Sequence, residues 1–321
     1  MAALVSVIAL CYNHAPFVEE SLASVIAQTY RPIELLIVDD ASTDGSQARI
    51  RSFVSRCPIP VQFFALPKNG GNCRAFNYAF AQSRGDFILD LATDDLLYPH
   101  RIAEQVATFQ KLDKTYGVVF SDVDLIAADG QPLGTYYDRR PKPPSGDLYA
   151  ALLKGGGLIS AASMLIRREV LERLGGYDET LAYEDYDFWV RSARHYQYFF
   201  LDHVLTQRRI LPHSLTHQFY RLRQPKMLAS TYRVCQKAFS LNQHPKEDQA
   251  LIQSLRYHLR QSVLTENFQI AKDFIQLLRL VRQRNGQKPS LHDIFWHFLT
   301  QTHLPLGWLY LNYQRWYLQI K

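Results

Sequence analysis

The chain has 321 residues, enough for one large or two ordinary domains with a packed core. Apolar residues make up 47% and charged residues 21%, which excludes collagen-like, low-complexity and wholly disordered polypeptides. The four cysteines form no CxxC pair, so neither a disulfide framework nor a cysteine zinc site is indicated. No apolar run is long enough to span a bilayer and no basic start of a secretory signal is present, so we expect a cytoplasmic protein.

The net charge of +6 is unevenly distributed. Residues 217–321 contain 15 Lys and Arg against 5 Asp and Glu, whereas residues 1–216 carry a small acidic excess. This difference predicts a first domain over 1–216 and a basic, mainly helical region over 217–321. A basic region attracts any polyanion, but no nucleic-acid reader motif is recognisable in it. We therefore expect it to bind an anionic inner membrane surface or a protein, or to be a solvated basic face, and not to bind nucleic acid.

The first two-thirds of the chain alternates between predicted strands and predicted helices. Strands are predicted at 5–10, 33–38, 61–66 and 86–91, separated by helices at 16–28, 46–55 and 72–82. Apolar strands joined by helical crossovers indicate an α/β fold with a doubly wound, mostly parallel sheet flanked by helices. Such sheets bind ligands beyond the carboxyl ends of their strands. Further strands are predicted at 117–126, 161–166 and 198–208, with a hairpin turn at Asp129-Gly130 and helices at 168–174 and 184–194.

Helical periodicity dominates beyond residue 217. Ser290, followed three residues later by Asp293, predicts the capped start of one such helix. The final segment, 304–321, is rich in Trp and Tyr and suits either a packed terminal helix or an interfacial one. The periodic apolar positions are Leu251, Leu255, Leu259 and Val263, then Phe274, Leu278 and Val281.

Two pairs of carboxylates stand where predicted strands end. Asp39 and Asp40 follow the second strand, and Asp94 and Asp95 follow the fourth. No GxGxxG follows the first strand and no GxxxxGK[ST] occurs, which argues against dehydrogenases and P-loop enzymes. Carboxylates suit a hard divalent cation that bridges phosphates, so a metal and nucleotide site is the simplest interpretation. The alternative is that an Asp only caps the next helix or turn, and for Asp40 both interpretations remain open.

Three blocks of sequence carry a family resemblance. They read VSVIALCYNHAPFVEESLASVIAQTYRPIELLIVDDASTDGS, NGGNCRAFNYAFAQSRGDFILDLATDDLLYPHRI and GGYDETLAYEDYDFWVR. In this order and spacing, over about residues 4–216, they resemble the inverting family-two glycosyltransferases of GT-A fold. The resemblance implies transfer of a sugar from a nucleotide diphosphate donor to an acceptor hydroxyl, with inversion at the anomeric carbon.

The resemblance also assigns donor-binding roles. Tyr12 matches the residue that packs on the donor base, Asp39 the carboxylate that accepts a hydrogen bond from the base, and Asp94 the acid that contacts the ribose. An aromatic ring stacks on a base and a carboxylate accepts the ring N–H of uracil, so a UDP-sugar is favoured. Many relatives carry Arg where this chain has Phe76, so we expect Arg74 to supply that phosphate or ribose contact.

Asp95 resembles the metal ligand of the family's DxD-type motif. Ala92 stands where a common form of the motif has an acid, so we expect Mn²⁺ or Mg²⁺ to be held weakly and completed by pyrophosphate and water. Relatives often show Arg-x-His-x-x-Ser after the last strand, and here Leu211 takes the place of that His. His213 is therefore a candidate metal or phosphate contact, with Arg209 as a secondary candidate.

Asp185 resembles the catalytic base, which takes the proton of the acceptor hydroxyl as its oxygen attacks the anomeric carbon. Glu184 is a secondary candidate, and the alternative for both is a helix start whose acids complement the dipole. Trp189, one helical turn later, either shapes the acceptor pocket or is a core residue. A literal DxD at Asp122 and Asp124 lies outside the family's metal block and is interpreted as a solvated strand end.

These observations lead to two functional hypotheses. The first is an active, metal-dependent transferase of glycan or polysaccharide biosynthesis with a saccharide or lipid-linked acceptor, non-processive because no QxxRW stretch follows. The alternative is a catalytically inactive GT-A domain that binds a nucleotide sugar or acts as a scaffold. Only Ala92 and Leu211 favour the alternative.

Overall fold

The computed structural model describes residues 2–155, 157–211, 219, 221–310 and 312. The chain divides into two compact units. The first comprises Met1–Leu148 and Gly157–Leu211, and the second comprises Tyr149–Gly156 and Pro212–Lys321. The boundary expected at residues 216 and 217 falls among residues outside the described part and stays a prediction.

The first unit is built on one sheet. Its strands are β1 (Val5–Cys11), β2 (Ile33–Asp39), β3 (Val61–Ala65), β4 (Phe87–Ala92), β5 (Leu96–Leu97), β6 (Tyr116–Ile126), β7 (Pro132–Thr135), β8 (Leu165–Arg167) and β9 (Gln197–Arg209). Among the described residues these nine strands run in the order β3-β2-β1-β4-β8-β6-β9-β5, with β7 paired to β6. Strands β3, β2, β1 and β4 are parallel neighbours, as are β6 and β9, whereas β8 is antiparallel to β4 and β6. The predicted α/β fold with a mostly parallel sheet is confirmed.

Helices flank the sheet of the first unit and build the second unit. They are α1 (Val18–Ile26), α2 (Ser46–Val54), α3 (Asn72–Phe80), α4 (Arg101–Lys111), α5 (Tyr149–Leu153), α6 (Arg168–Leu174), α7 (Asp185–Ala193), α8 (Lys226–Leu241), α9 (Pro245–Leu264), α10 (Phe268–Arg284) and α11 (Leu291–Thr302). Of these, α5 and α8 to α11 belong to the second unit. In the described part of the chain, no helix combines the length and apolarity needed to cross a membrane.

Two apolar layers sandwich the sheet because side chains alternate along each strand. Alternate residues of β1, β2 and β4, such as Leu35 and Leu89, form one buried cluster with α1, α2 and α4. On α3, the fully buried Phe76 stacks on Tyr177 with ring centroids 4.1 Å apart. Tyr177 in turn meets the edge of Phe188 in α7. The ring of Tyr177 thereby packs between α3 and α7.

Two predictions of local structure are wrong. The strand expected over 161–166 begins as a turn of 3₁₀ helix at Ala161–Ser163. There the Ser163 hydroxyl donates to the carbonyl of Ser160 at 2.8 Å, a side-chain bond that favours a turn. Asp122 and Asp124 are not at a solvated strand end, because β6 continues to Ile126. Asp122 is buried, and Asp124 accepts a hydrogen bond from the Tyr98 hydroxyl.

The second unit is helical, as predicted. Its short α5 belongs with the later helices, since the Tyr149 hydroxyl donates to Asn242 Oδ1 at 2.8 Å. The predicted cap of α11 is confirmed, because Asp293 N–H donates to Ser290 Oγ and Ser290 N–H donates to Asp293 Oδ2. Most of the Trp- and Tyr-rich segment 304–321 lies outside the described residues, so its two interpretations stay open.

Candidate functional site

Asp39, the last residue of β2, is completely buried. Its Oδ1 accepts hydrogen bonds from the backbone N–H of Ser42 at 2.9 Å and the side-chain amide of Gln47 at 2.8 Å. Within the described residues, no donor reaches its Oδ2. A buried carboxylate oxygen without a partner is costly, so a ligand N–H at this position would relieve that cost.

The exposed ring of Tyr12 stands at the neighbouring strand end. Tyr12 directly follows β1, which pairs in parallel register with β2, and the residue is 48% exposed. The next residue, Asn13, donates its N–H to Ser42 Oγ and accepts at Oδ1 from the N–H of Thr43. These bonds tie the two strand ends together. Tyr12 and Asp39 therefore lie at the same edge of the sheet.

Asp40 holds a loop and does not cap the following helix. Its two carboxylate oxygens accept the N–H groups of Gly70 and Gly71 at 2.7 and 2.8 Å. This clamp fixes the loop that leads into α3. Arg74 of α3 is exposed and lies over Gly70, where a Cβ atom would come within 2.7 Å of Arg74 Cδ. The absence of a side chain at Gly70 thus gives Arg74 its place beside the clamp.

Asp94 and Asp95 follow β4, as predicted. Asp95 is 6% exposed, and its Oδ1 accepts the backbone N–H of Arg209 at 2.8 Å. Burial, and then the neighbouring Asp94, raise the pKa of Asp95 to about 8. The carboxylate of Asp94 lies 3.8 Å from His14 Nδ1. Two adjacent carboxyl groups therefore lie at this strand end, and a cation beside them would favour their charged forms.

Arg209 braces the end of β4 from the last strand. Its Nε donates to the carbonyl of Asp94 at 3.0 Å. One terminal nitrogen donates to the carbonyls of Ala127 and Ala128, and the other to the carboxylate of Glu20. Since each guanidinium nitrogen already has a protein partner, the geometry favours positioning of the Asp94-Asp95 turn over direct contact with a phosphate.

The residues at this edge fit a weakly held cation. Among the described residues, no group of three or more His, Cys, Asp or Glu is arranged to hold a metal ion. Asp94 and Asp95 are the carboxylates that could bind a cation at this strand end, and one oxygen of Asp95 already accepts a hydrogen bond. That donor set suits Mg²⁺ or Mn²⁺ completed by phosphate and water oxygens. The candidate His213 lies outside the described residues.

Glu184 and Asp185 meet at the start of α7. Asp185 Oδ1 accepts the N–H of Tyr186 at 2.6 Å, and Glu184 Oε2 accepts the side-chain amide of Asn72, the first residue of α3. Burial, Asp185 and Asp90 raise the pKa of Glu184 to about 8. Burial also raises the pKa of Asp185, although the Tyr186 N–H acts against it. Both carboxyls are therefore more basic than ordinary acids.

Asp90 is a member of this acidic cluster that the sequence analysis does not single out. It lies in β4 between Leu89 and Leu91, which face the opposite, apolar layer. The Tyr177 hydroxyl donates to Asp90 Oδ2 at 3.2 Å. Burial raises the pKa of Asp90 to about 7. A carboxylate between two leucines in the interior of an apolar predicted strand is the sequence signal that could have revealed it.

Trp189 is a core residue. It is 6% exposed, and its indole N–H donates to the sulfur of Met164 at 3.3 Å. This contact supports the core alternative for Trp189 over a place in an acceptor pocket.

The chain is similar in sequence to known glycosyltransferases. Residues 6–175 match the model of Glycosyl transferase family 2. An uncharacterized glycosyltransferase of Rickettsia typhi is 31% identical over 211 residues, which are 64% of this chain and 64% of that protein. The O-antigen biosynthesis protein RfbC of Myxococcus xanthus is 32% identical over 163 residues, 51% of this chain and 12% of that protein. The chain thus spans less than two-thirds of either relative.

Solved structures show the same fold at low sequence identity. TarS of S. aureus, residues 1–349 in complex with UDP-GlcNAc, superposes with a TM-score of 0.71 at 16% identity, covering 97% of this chain and 91% of that one. The mannosyltransferase PcManGT of Pyrobaculum calidifontis, in complex with GDP-Man and Mn²⁺, gives 0.57 at 19% identity and covers 96% and 86%. The fold is the predicted GT-A fold. Because the family match extends over more than half of its residues, the chain belongs to glycosyl transferase family 2.

Proposed function

We propose that the chain is an inverting, metal-dependent glycosyltransferase that moves a sugar from a UDP-sugar to an acceptor hydroxyl. The acceptor is a saccharide or lipid-linked saccharide in glycan or polysaccharide biosynthesis, and transfer is non-processive. The observation that carries the proposal is the buried, unpartnered Oδ2 of Asp39 at the sheet edge that also bears the exposed ring of Tyr12. Bound UDP and UDP-GlcNAc in TarS are consistent with it.

The hydrogen bonds of Asp39 favour uracil over guanine. Uracil presents one ring N–H flanked by two carbonyl acceptors, whereas guanine presents a ring N–H and an amino group side by side. Guanine would engage both oxygens of a carboxylate, but Oδ1 of Asp39 already accepts from Ser42 and Gln47. The single oxygen left matches the single N–H of uracil, and Tyr12 would stack on the base.

The diphosphate would lie next to the Asp94-Asp95 turn. Two carboxylates repel a diphosphate unless a cation lies between them, and bound Mn²⁺ or Mg²⁺ would supply the positive charge that stabilises the departing diphosphate. Arg209 would keep the turn in place from behind. Arg74, exposed beside the Asp40 clamp, would add a further positive charge.

Asp185 would act as the base. The acceptor oxygen forms a bond to the anomeric carbon while the bond from that carbon to the diphosphate breaks, and the hydroxyl proton passes to the Asp185 carboxylate. Burial raises the pKa of Asp185, which makes it a stronger proton acceptor at neutral pH than an exposed aspartate. No protein acid is required for the diphosphate, which leaves as an anion.

Replacing Asp39 tests the assignment of the base. In Asp39→Asn the amide oxygen should stay with its two donors, so the amide nitrogen would face the N–H of uracil. We expect UDP affinity to fall about tenfold or more, as loss of a hydrogen bond to a charged group implies. Isothermal titration with UDP and GDP measures this. The proposed UDP preference is wrong if the wild-type protein binds GDP more tightly, and absence of binding to either nucleotide contradicts the transferase.

The metal requirement is tested by the same titration with Mn²⁺ or with EDTA. Wild-type protein should bind UDP more weakly in EDTA, and Asp95→Asn should bind it equally weakly in both. Asp124→Asn is the matched control, since it removes a carboxylate of the other DxD sequence and should retain the response to Mn²⁺. If Asp124→Asn loses the response and Asp95→Asn keeps it, the metal assignment is wrong.

Asp185→Asn separates chemistry from binding. We expect the rate of transfer to fall about 10²- to 10⁴-fold because the amide cannot accept the hydroxyl proton, while UDP affinity stays unchanged. Release of UDP in the presence of acceptor measures the rate. Glu184→Gln should have a smaller effect, since its hydrogen bond to Asn72 gives it a supporting role. If the wild-type protein binds UDP-sugar but transfers to no acceptor, the inactive alternative is favoured.

The pH profile tests the acidic cluster. A base with a raised pKa is protonated at low pH, so the transfer rate should increase with pH through a value above the ordinary aspartate range. Removing the charge of Asp90 lowers the pKa of Glu184, and because the neighbouring carboxyls of Glu184 and Asp185 titrate as a pair, the apparent pKa values of that pair fall. Asp90→Asn should therefore move the acid limb of the kcat profile to lower pH. An unshifted limb would show that Asp90 does not influence the base.

A further inference from the structure

Helix α11 of the second unit has its apolar side turned outward. Leu291, Ile294, Phe295 and Phe298 are between 53% and 86% exposed. Their spacing of three and four residues places them on one face of the helix, which we call the apolar stripe. The residues buried on the other side include Asp293 and Thr300, which are polar. In a helix that served only to complete a core, this distribution would be reversed.

The buried Asp293 holds the helix in this rotation. Its Oδ1 accepts from Arg256 Nε at 2.8 Å, and its Oδ2 lies 2.6 Å from Arg282 Nε. Burial alone raises the pKa of Asp293, but hydrogen bonds from Arg256 and Ser290 outweigh it and leave the pKa below its usual value. Turning the stripe inward would break this ionic cluster and leave buried charges unpaired.

The surroundings of the apolar stripe are basic. From Phe274 to Asn312 the chain contains a single acidic residue, Asp293, which is buried and paired. In the same range Arg279 and Lys288 are exposed, and Lys288 lies three residues before Leu291. Beyond the helix, Trp308 is 71% exposed. Exposed aliphatic and aromatic side chains with basic residues around them are typical of helices that lie in a membrane interface.

We propose that the apolar stripe of α11 inserts into the surface of an anionic lipid bilayer. Phenyl rings and the indole enter the boundary between headgroups and acyl chains, while Lys288 and Arg279 meet lipid phosphates. Since no described helix is long and apolar enough to cross a membrane, α11 would lie in the plane of the bilayer surface. A second copy of the chain fits less well, because a symmetric pairing of stripes would bring like charges together, and among the described residues between Phe274 and Asn312 no exposed acid matches them.

Flotation of the intact protein with vesicles tests the proposal. The probes are phosphatidylcholine vesicles with and without phosphatidylglycerol, at low and high salt. We expect binding to the anionic vesicles, weakened by salt. The double variant Phe295→Gln with Phe298→Gln should bind at least about tenfold more weakly, since burying one Phe side chain is worth one to two orders of magnitude in a binding constant.

The matched control is Leu133→Gln, which removes an apolar side chain, 55% exposed, from the first unit. It should bind vesicles like the wild-type protein. The double variant at Phe295 and Phe298, the stripe variant, should keep its UDP affinity and its thermal unfolding temperature, because the altered side chains face solvent. A failure of membrane binding is therefore distinguishable from a failure of the proposed function. Absence of wild-type binding to anionic vesicles, or equal binding by the stripe variant, overturns the proposal. So does a wild-type dimer, seen by light scattering, that the stripe variant dissociates.

Discussion

Burial of carboxylates at the carboxyl edge of the sheet is the constraint on which the site depends. A charge without partners in such a place is costly, and the fold offsets that cost with N–H groups from neighbouring loops. Both carboxylate oxygens of Asp40 accept hydrogen bonds, from the N–H groups of Gly70 and Gly71, and this residue holds the loop in place. Asp39 has hydrogen-bond donors at one carboxylate oxygen only, and the other oxygen, without a partner, is where the proposed function places a donor group of the ligand. Under the proposed function, this difference in hydrogen bonding separates a ligand-binding carboxylate from a structural one.

The sequence predicts where these carboxylates lie but not which hydrogen-bond donors each of them meets. Parallel strands end at a common edge, so Asp39 and Asp95 could be brought together from strand order alone. The role of Asp40 could not be predicted, because its hydrogen-bond partners are backbone groups of residues 70 and 71, in another loop. The same holds for Arg209, whose contacts with the β4 end and with Glu20 join segments far apart in the chain.

Local pattern predicted secondary structure well where apolar periodicity was the main determinant. Helix α6 begins and ends at the predicted residues, 168 and 174, and its end is fixed because a glycine follows at once in the left-handed conformation. The predicted start of β8 at residue 161 is wrong because the Ser163 hydroxyl favours a turn over an extended strand. Helix α4 was not predicted. Its buried face includes Arg101, whose guanidinium donates hydrogen bonds to the Thr206 hydroxyl and the carbonyl of Met164. A charged residue at a buried position breaks the apolar periodicity by which helices are predicted.

Buried acids behave in opposite ways according to whether their partners are charged or neutral. In the second unit, Asp248 and Asp293 are each paired with arginines, and hydrogen bonds outweigh burial to leave both pKa values lowered. In the first unit, Asp90 and Glu184 accept hydrogen bonds from a neutral hydroxyl and a neutral amide, and burial raises their pKa values to about 7 and 8. A cation partner fixes a carboxylate as a permanent charge, whereas a neutral partner leaves it able to exchange a proton near neutral pH. Acids of the first kind suit the orientation of helices, and acids of the second kind suit proton transfer at a reaction centre.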